Sequence, residues 1–206
     1  MGKHANSIDK QILDRIMAKG RGTVFTPADF LDLGSRAAVG LTLFRNVRAG
    51  AIRQLARGLY DYPRHHTSLG VLMPSVDMVA QALKGRDATR IQPTGGHAAN
   101  ILGLSTQVPA KAVYLTDGRS RKVQLGRQVV ILKKTTPRQM ATADRVSGTV
   151  IQALRWLGQR NVDEKVVTIL RRKLSRRDKR QLLNDVRYAP AWIGDVLRRV
   201  AELQDH

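Results

Sequence analysis

Residues 23–63, TVFTPADFLDLGSRAAVGLTLFRNVRAGAIRQLARGLYDYP, constrain the fold most, because they read as a short helix, a longer helix and a basic hairpin in immediate succession. Thr26 and Pro27 are an N-cap followed by the residue best tolerated at the first helical position, so a short helix is predicted over residues 27–33, ending before Gly34. Ser35 caps the next helix, which runs through SRAAVGLTLFRNVRA to Gly50, a glycine just past the last turn. Residues 51–55 and 59–62 are short, partly alternating runs joined by Ala56, Arg57 and Gly58, a connection with glycine available for a positive φ. Upstream, Ser7 caps a helix in which Ile8, Ile12 and Ile16 recur at helical spacing until Gly20 and Gly22. Helix, short helix, helix, hairpin is the order of a winged helix-turn-helix, which seats one helix in a DNA major groove with a hairpin beside it.

The helix after Ser35 is then the recognition helix. Val39, Leu43 and Val47 fall at i, i+4 and i+8 and form one inward stripe. A second partition, with Ala37, Leu41 and Phe44 inward, rotates the helix and reassigns its polar face. On the first partition Arg36 and Arg45, with Thr42, are the candidates for base or groove contacts. Ser35, Arg48, Arg53, Arg57 and Arg64 are the candidates for phosphate or wing contacts. Arginine forks onto guanine O6 and N7 or grips phosphate with two parallel bonds, while Thr42 and Asn46 offer single hydrogen bonds. Leu41 and Phe44 point partly outward, toward thymine methyls or a protein partner. Gly40 is costly in mid-helix unless backbone must approach something closely.

Charge points to the same partner class. The 36 Lys and Arg outnumber 16 Asp and Glu, a formal charge of +20, and the excess is spread along the chain. Such a surface seeks polyanions, with binding that falls steeply as salt rises. There is no apolar run long enough to span a bilayer, the start MGKHANSIDKQ lacks a signal-peptide core, and no cysteine is present for disulfides, thiolate catalysis or zinc. A cytoplasmic bacterial protein is expected.

After Pro63 the composition changes, so the N-terminal domain is placed at residues 7–66 and a second domain at 68–206. The pair His65–His66 reads as a polar linker rather than a metal site. In the second domain Ser75 caps a helix ended by Gly85, Thr94 opens another, and three strand candidates follow at residues 112–116, 121–125 and 128–132. Turn chemistry at Asp117–Gly118 and Gly126–Arg127 predicts an antiparallel meander. From residue 143 the pattern is helical. The cluster Arg171, Arg172, Lys173, Arg176, Arg177, Lys179 and Arg180 is either a second polyanion contact or a solvated helical face. The expected fold class is α+β: an N-terminal winged helix-turn-helix, a small α+β domain and C-terminal helices.

Two blocks of motifs in order carry a resemblance. SRAAV, VRAG and LARGLYDYP, followed by TGGHAANILGLSTQVP, VYLTDG and KTTPR, resemble the AbiEi family of bacterial antitoxins from AbiE-type toxin–antitoxin and phage-defence modules. The resemblance covers roughly residues 7–155 and departs at Gly40, Leu41, Phe44 and Asn46. It implies an autorepressor whose winged helix recognises inverted repeats in double-stranded operator DNA. It also implies a C-terminal antitoxin domain that counteracts a nucleotidyltransferase-like toxin, largely without a stable complex.

No catalytic spacing emerges. Gly95-Gly96-His97 lacks the Lys-Ser/Thr ending of a P-loop and the spacing of a dinucleotide fingerprint, and His97, Ser105, Asp117 and Asp144 match no known arrangement. The sequence therefore predicts a non-enzyme with no cofactor and no metal. The alternative reading is a protein- or RNA-binding module whose winged helix is the interaction surface for a partner toxin.

Overall fold

The computed structural model describes residues 7–85 and 89–202. It is a mixed α+β structure that divides into two compact units, Met1–Thr89 with Val123–Leu125, and Arg90–Lys122 with Gly126–His206.

The first unit begins with α1 (Ile8–Lys19), where the Ser7 hydroxyl accepts the Lys10 N–H at 3.2 Å and Gly20, at φ 84°, ends the helix. Strand β1 (Val24–Phe25) leads into a 3-10 turn, Pro27–Phe30, where Asp29 accepts the Thr26 N–H at 2.8 Å. Helix α2 (Arg36–Arg48) follows, then strands β2 (Arg53–Ala56) and β3 (Leu59–Asp61). The three strands form one antiparallel sheet in the order β1-β3-β2, with a bulge in β2 between Gln54 and Ala56. Gly58 adopts φ 71° at the β2–β3 turn, where a side chain would be strained.

The core of this unit joins Ile12 and Ile16 of α1 to Phe25, Phe30, Val39, Leu43 and Ile52. Phe25 sits at its centre, edge-on to Phe30 at 5.5 Å and stacked on Tyr60 at 6.2 Å between ring centroids. Such pairs add about 0.5–1.5 kcal/mol beyond the area they bury.

The unit continues past residues 66–68, where the change in composition had suggested a boundary. Strands β4 (Arg64–His66) and β5 (Gly70–Leu72) pair as a hairpin, so His65 and His66 lie on a strand rather than a linker. Helix α3 (Val76–Lys84), capped by Ser75, packs on β1. Packing of α3 onto a strand of the first sheet moves the division to residue 89; composition registered the Pro63 turn instead.

The second unit carries β6 (Ile91–Thr94), α4 (Gly95–Ile101), β7 (Lys111–Thr116), the first two residues of β8 (Arg121–Leu125) and β9 (Gln128–Lys134). Its sheet runs β6-β7-β9-β8, with β6 antiparallel to β7 but β7 parallel to β9. The expected meander is therefore wrong. Strand β7 holds the most buried residues and lies inside the sheet, while the basic, largely exposed β8 goes to the edge, where charge discourages further pairing. The turn from β7 passes the end of β9, where Ser120 Oγ accepts the Lys134 N–H at 3.0 Å.

Helices α5 (Val146–Leu157), α6 (Glu164–Lys173), α7 (Arg176–Asp185) and α8 (Ala191–Ala201) complete the unit. Val150, Ile151 and Leu154 of α5 meet Ala98 and Ala99 of α4, Val167 and Leu170 of α6, Leu182 of α7 and Ile193, Leu197 and Val200 of α8 in one core. Close approach of α4 to α5 explains the TGGHAAN motif. A Cβ on Gly96 would stand 3.3 Å from the Trp156 ring, and Gly95 adopts φ 63° at the helix entry. Asn100 then donates to the Ser105 and Gln107 carbonyls at 3.1 and 3.3 Å, folding the LSTQ segment back on the helix. No helix among the described residues is long and apolar enough to cross a membrane.

Candidate nucleic-acid interface

Helix α2 is fixed at both ends and along one side. Ser35 Oγ accepts the Ala38 N–H at 3.3 Å, the Ala49 N–H returns to the Arg45 carbonyl at 2.9 Å, and Val39 and Leu43 are fully buried. The inward stripe is thus the Val39, Leu43 and Val47 partition, and Ala37 is exposed together with Leu41, at 49 %, and Phe44, at 56 %. With about 100° between successive residues, Ala37, Leu41, Phe44 and Arg48 share the outward arc, flanked by Arg36 and Arg45. An arginine-edged apolar face results.

The engagement of each basic side chain decides what it has left to offer. Arg36 is exposed and makes no ion pair among the described residues. Arg48 lies 6.0 Å from the Phe44 ring centroid, a cation–π distance. Arg45 pairs with Asp9 at 3.3 Å, both largely exposed, a contact that screening keeps weak and exchangeable. Arg57 stands exposed at the β2–β3 turn, and Arg64 is exposed on β4. Ser35 is exposed; its Oγ accepts the cap bond, which leaves its O–H as a donor.

Two predicted contacts face the wrong way. Thr42 is 2 % exposed and its hydroxyl donates to Asp9, so it locks α2 to α1 and is not a groove reader. Arg53 grips the buried carboxylate of Asp61 through two bonds of 3.0 and 2.6 Å and donates a third to the Leu72 carbonyl at 2.9 Å. A carboxylate at 1 % exposure needs a cation beside it, so Arg53 serves β3 and the β4–β5 hairpin rather than a phosphate. Asn46 likewise spends its amide on the Thr42 carbonyl at 2.9 Å.

Gly40 borders the outward arc of α2. No heavy atom comes within 4 Å of the place its Cβ would occupy, apart from the helix's own backbone and its chain neighbours. Glycine there costs about 1 kcal/mol relative to alanine, and nothing in the unit requires the missing side chain.

In the second unit His97, Ser105 and Asp117 are engaged locally, while Asp144 is exposed at φ 61°. His97 Nε2 lies 2.8 Å from the Tyr114 hydroxyl in a buried pair, and Ser105 Oγ accepts the Gln107 N–H at 3.2 Å. Asp117 accepts the Arg90 N–H at 2.7 Å and its guanidinium at 3.0 Å. Burial pushes the Asp117 carboxyl up, but the Arg90 N–H and guanidinium outweigh that and hold it below the usual carboxylate range. No cluster of three or more potential metal ligands occurs among the described residues. Of the basic cluster on α6 and α7, Arg171 is turned onto the Arg199 carbonyl at 2.6 Å, while Arg172, Lys173, Arg176, Arg177 and Arg180 are exposed.

A family model described as a family of unknown function, DUF6088, matches residues 11–182. The chain belongs to the DUF6088 family. No curated protein and no solved structure matches it. The DUF6088 match takes in α2, the β2–β3 hairpin and the later TGGHAAN and KTTPR motifs. The residues that spacing missed are Asp9 and Asp61, the carboxylates that draw Thr42 and Arg53 inward. Their signal was weak but present, since each is an acid among basic neighbours within a segment of the first core.

Proposed function

We propose that residues 7–66 form a winged helix-turn-helix and that the chain is a DNA-binding autorepressor and antitoxin of a bacterial two-gene toxin–antitoxin module. Helix α2 is the recognition helix and the β2–β3 hairpin the wing. The observation that carries this reading is the outward face of α2, where Arg36, Arg45 and Arg48 edge a helix beside a hairpin tipped by Arg57. Arg36 and Arg45 read base edges; Ser35, Arg48, Arg57 and Arg64 hold phosphates. Gly40 fits the same reading, because a helix lying in a groove brings backbone close to DNA and leaves no room for a side chain. The chain's charge of +20 supplies the electrostatic attraction, and the motif resemblance to AbiEi antitoxins supplies the toxin–antitoxin setting. The protein works without cofactor in the cytoplasm and is not an enzyme.

The test is a gel-shift titration on the DNA upstream of the protein's own gene at several salt concentrations. The upstream DNA should bind more tightly than shuffled DNA of the same composition, and Arg48→Ala should flatten the salt slope by about one counterion. Equal affinity for both DNAs would sink the repressor reading. Co-expression with the adjacent gene tests the antitoxin half, with restored growth as the expected result.

The exposure of Leu41 and Phe44 favours a second reading, in which the same helix binds a protein such as the toxin. Retention of the adjacent gene product by the wild type, and its loss in Phe44→Ser with DNA binding intact, would select that reading.

A further inference from the structure

A cleft of about 470 Å³ opens within the second unit, between the KTTPR segment, α5 and the turn before α8. Its size is that of a small-molecule site. Its lining includes hydrogen-bond donors and cations: Thr136 and Arg138 from KTTPR, and Gln152 and Arg155 from α5. Ile151 and the segment Tyr188, Ala189 and Pro190 also line it. No carboxylate lines the cleft.

Arg138 and Arg155 are both exposed, as are Arg172, Arg176, Arg177 and Arg180 elsewhere in the unit, which also make no ion pair among the described residues, but these two line a common cleft. Arg90, Arg145, Arg171, Arg198 and Arg199 are each paired with an acid. The side chains of Arg138 and Arg155 have no ion pair and no hydrogen bond among the described residues, and both line one cleft. Two guanidinium groups on one cleft with no carboxylate among the described residues of its lining suit a ligand that carries negative charge. Gln152 adds a fixed donor. It is 7 % exposed, and its Oε1 accepts the Thr94 hydroxyl at 2.9 Å, which leaves the amide N–H groups as the end of the side chain open to the cleft. Tyr188 supplies the aromatic ring of the lining, with the Arg187 guanidinium 5.0 Å from its centroid.

We infer that this cleft binds a nucleoside phosphate, with the phosphate on Arg138, Arg155 and the Gln152 amide and the base against Tyr188. Guanidinium forks match phosphate oxygens bidentately, and an aromatic ring suits a planar base of any identity. The site lies wholly within the second unit and stands whether or not α2 binds DNA.

Isothermal titration calorimetry on the full chain, at a salt concentration that suppresses diffuse anion binding, tests the inference. The probes are the four ribonucleoside 5′-monophosphates, adenosine and inorganic phosphate. At least one monophosphate should bind at one site per chain. Arg138→Gln and Arg155→Gln should each weaken it by about tenfold or more, as expected for loss of a charge-assisted bond. Tyr188→Leu should weaken the monophosphate but not inorganic phosphate. Arg172→Gln, an exposed cation elsewhere, should leave the affinity unchanged. Circular dichroism confirms that each variant is folded, and Arg138→Lys, which keeps the charge without the fork, should recover only part of the affinity. No saturable binding by any monophosphate, or an equal loss in Arg172→Gln, would overturn the site. Equal affinity for inorganic phosphate and the monophosphates would overturn the nucleoside part.

Discussion

Two glycines inside helices, Gly40 of α2 and Gly148 of α5, occupy opposite surroundings. Each replaces an alanine that would favour the helix by about 1 kcal/mol. At Gly148 the reason is internal: a methyl group there would overlap the Gln92 carboxamide and the Thr142 carbonyl oxygen, because α5 presses onto β6 and the turn before it. At Gly40 the space is open. A helix glycine demanded from within reports packing, whereas one that nothing inside demands directs attention to what comes from outside. The same contrast runs through the arginines. Arg53 is bound to a buried carboxylate, while Arg36 and Arg57 are exposed and make no ion pair among the described residues.

The largest test of this contrast is Gly148→Ala. Gln92 is itself buried and the carbonyl is backbone, so neither gives way cheaply, and the variant should lose about 3 kcal/mol in urea unfolding or fail to accumulate folded. A neutral Gly148→Ala would break the distinction between the two glycines at its stronger end.

Next in size is Arg53→Ala, which strips the cation from Asp61. Asp61 stays buried at 1 % exposure, and the loss should be about 2–3 kcal/mol, below the value for a fully buried pair because Arg53 is itself partly solvated. Arg53→Ala with Asp61→Asn should recover part of it, since the amide needs no counter-charge. DNA affinity measured on the folded fraction should hardly change, which separates Arg53 from the outward arginines.

Gly40→Ala should move the other way, gaining about 1 kcal/mol of stability. If a partner's backbone or groove wall approaches α2 at this point, the same methyl lowers affinity for that partner. Opposite signs in thermal melting and in gel shift are the expected outcome. Gains in both would show that the open space stays open in the complex.

How much of this was legible in the sequence follows from how local each cause is. The Ser35 cap, the glycine at the β2–β3 turn and the Val39–Leu43 stripe depend on neighbours one or two turns away, and spacing alone recovers them. Leu41 and Phe44 were legible as outward residues for the same reason. Thr42 and Arg53 were misread because what decides them is a carboxylate 33 residues away in one case and across a hairpin in the other. The parallel pairing of β7 with β9 was hidden by two turn signals that describe each connection correctly but say nothing about which strands become neighbours. The cleft was least legible of all. Thr136 and Arg138 stood in a motif, but Gln152, Arg155 and Tyr188 come from helices that only the fold brings beside them.

The smallest stability effect belongs to Arg57→Ala, and it is the sharpest test of what an unengaged arginine is for. The side chain sits at the tip of the β2–β3 turn with no ion pair among the described residues, and Gly58, at φ 71°, supplies the turn geometry without it. Removing it should leave the melting temperature within error of the wild type, unlike Arg53→Ala four residues earlier on the same hairpin. If the hairpin lies along a DNA backbone, affinity should fall for upstream and shuffled DNA alike, and the salt slope should lose about one counterion. A loss confined to the upstream DNA would instead make Arg57 a base reader in the minor groove. No loss on either DNA would remove the hairpin from the interface and leave α2 to carry it alone.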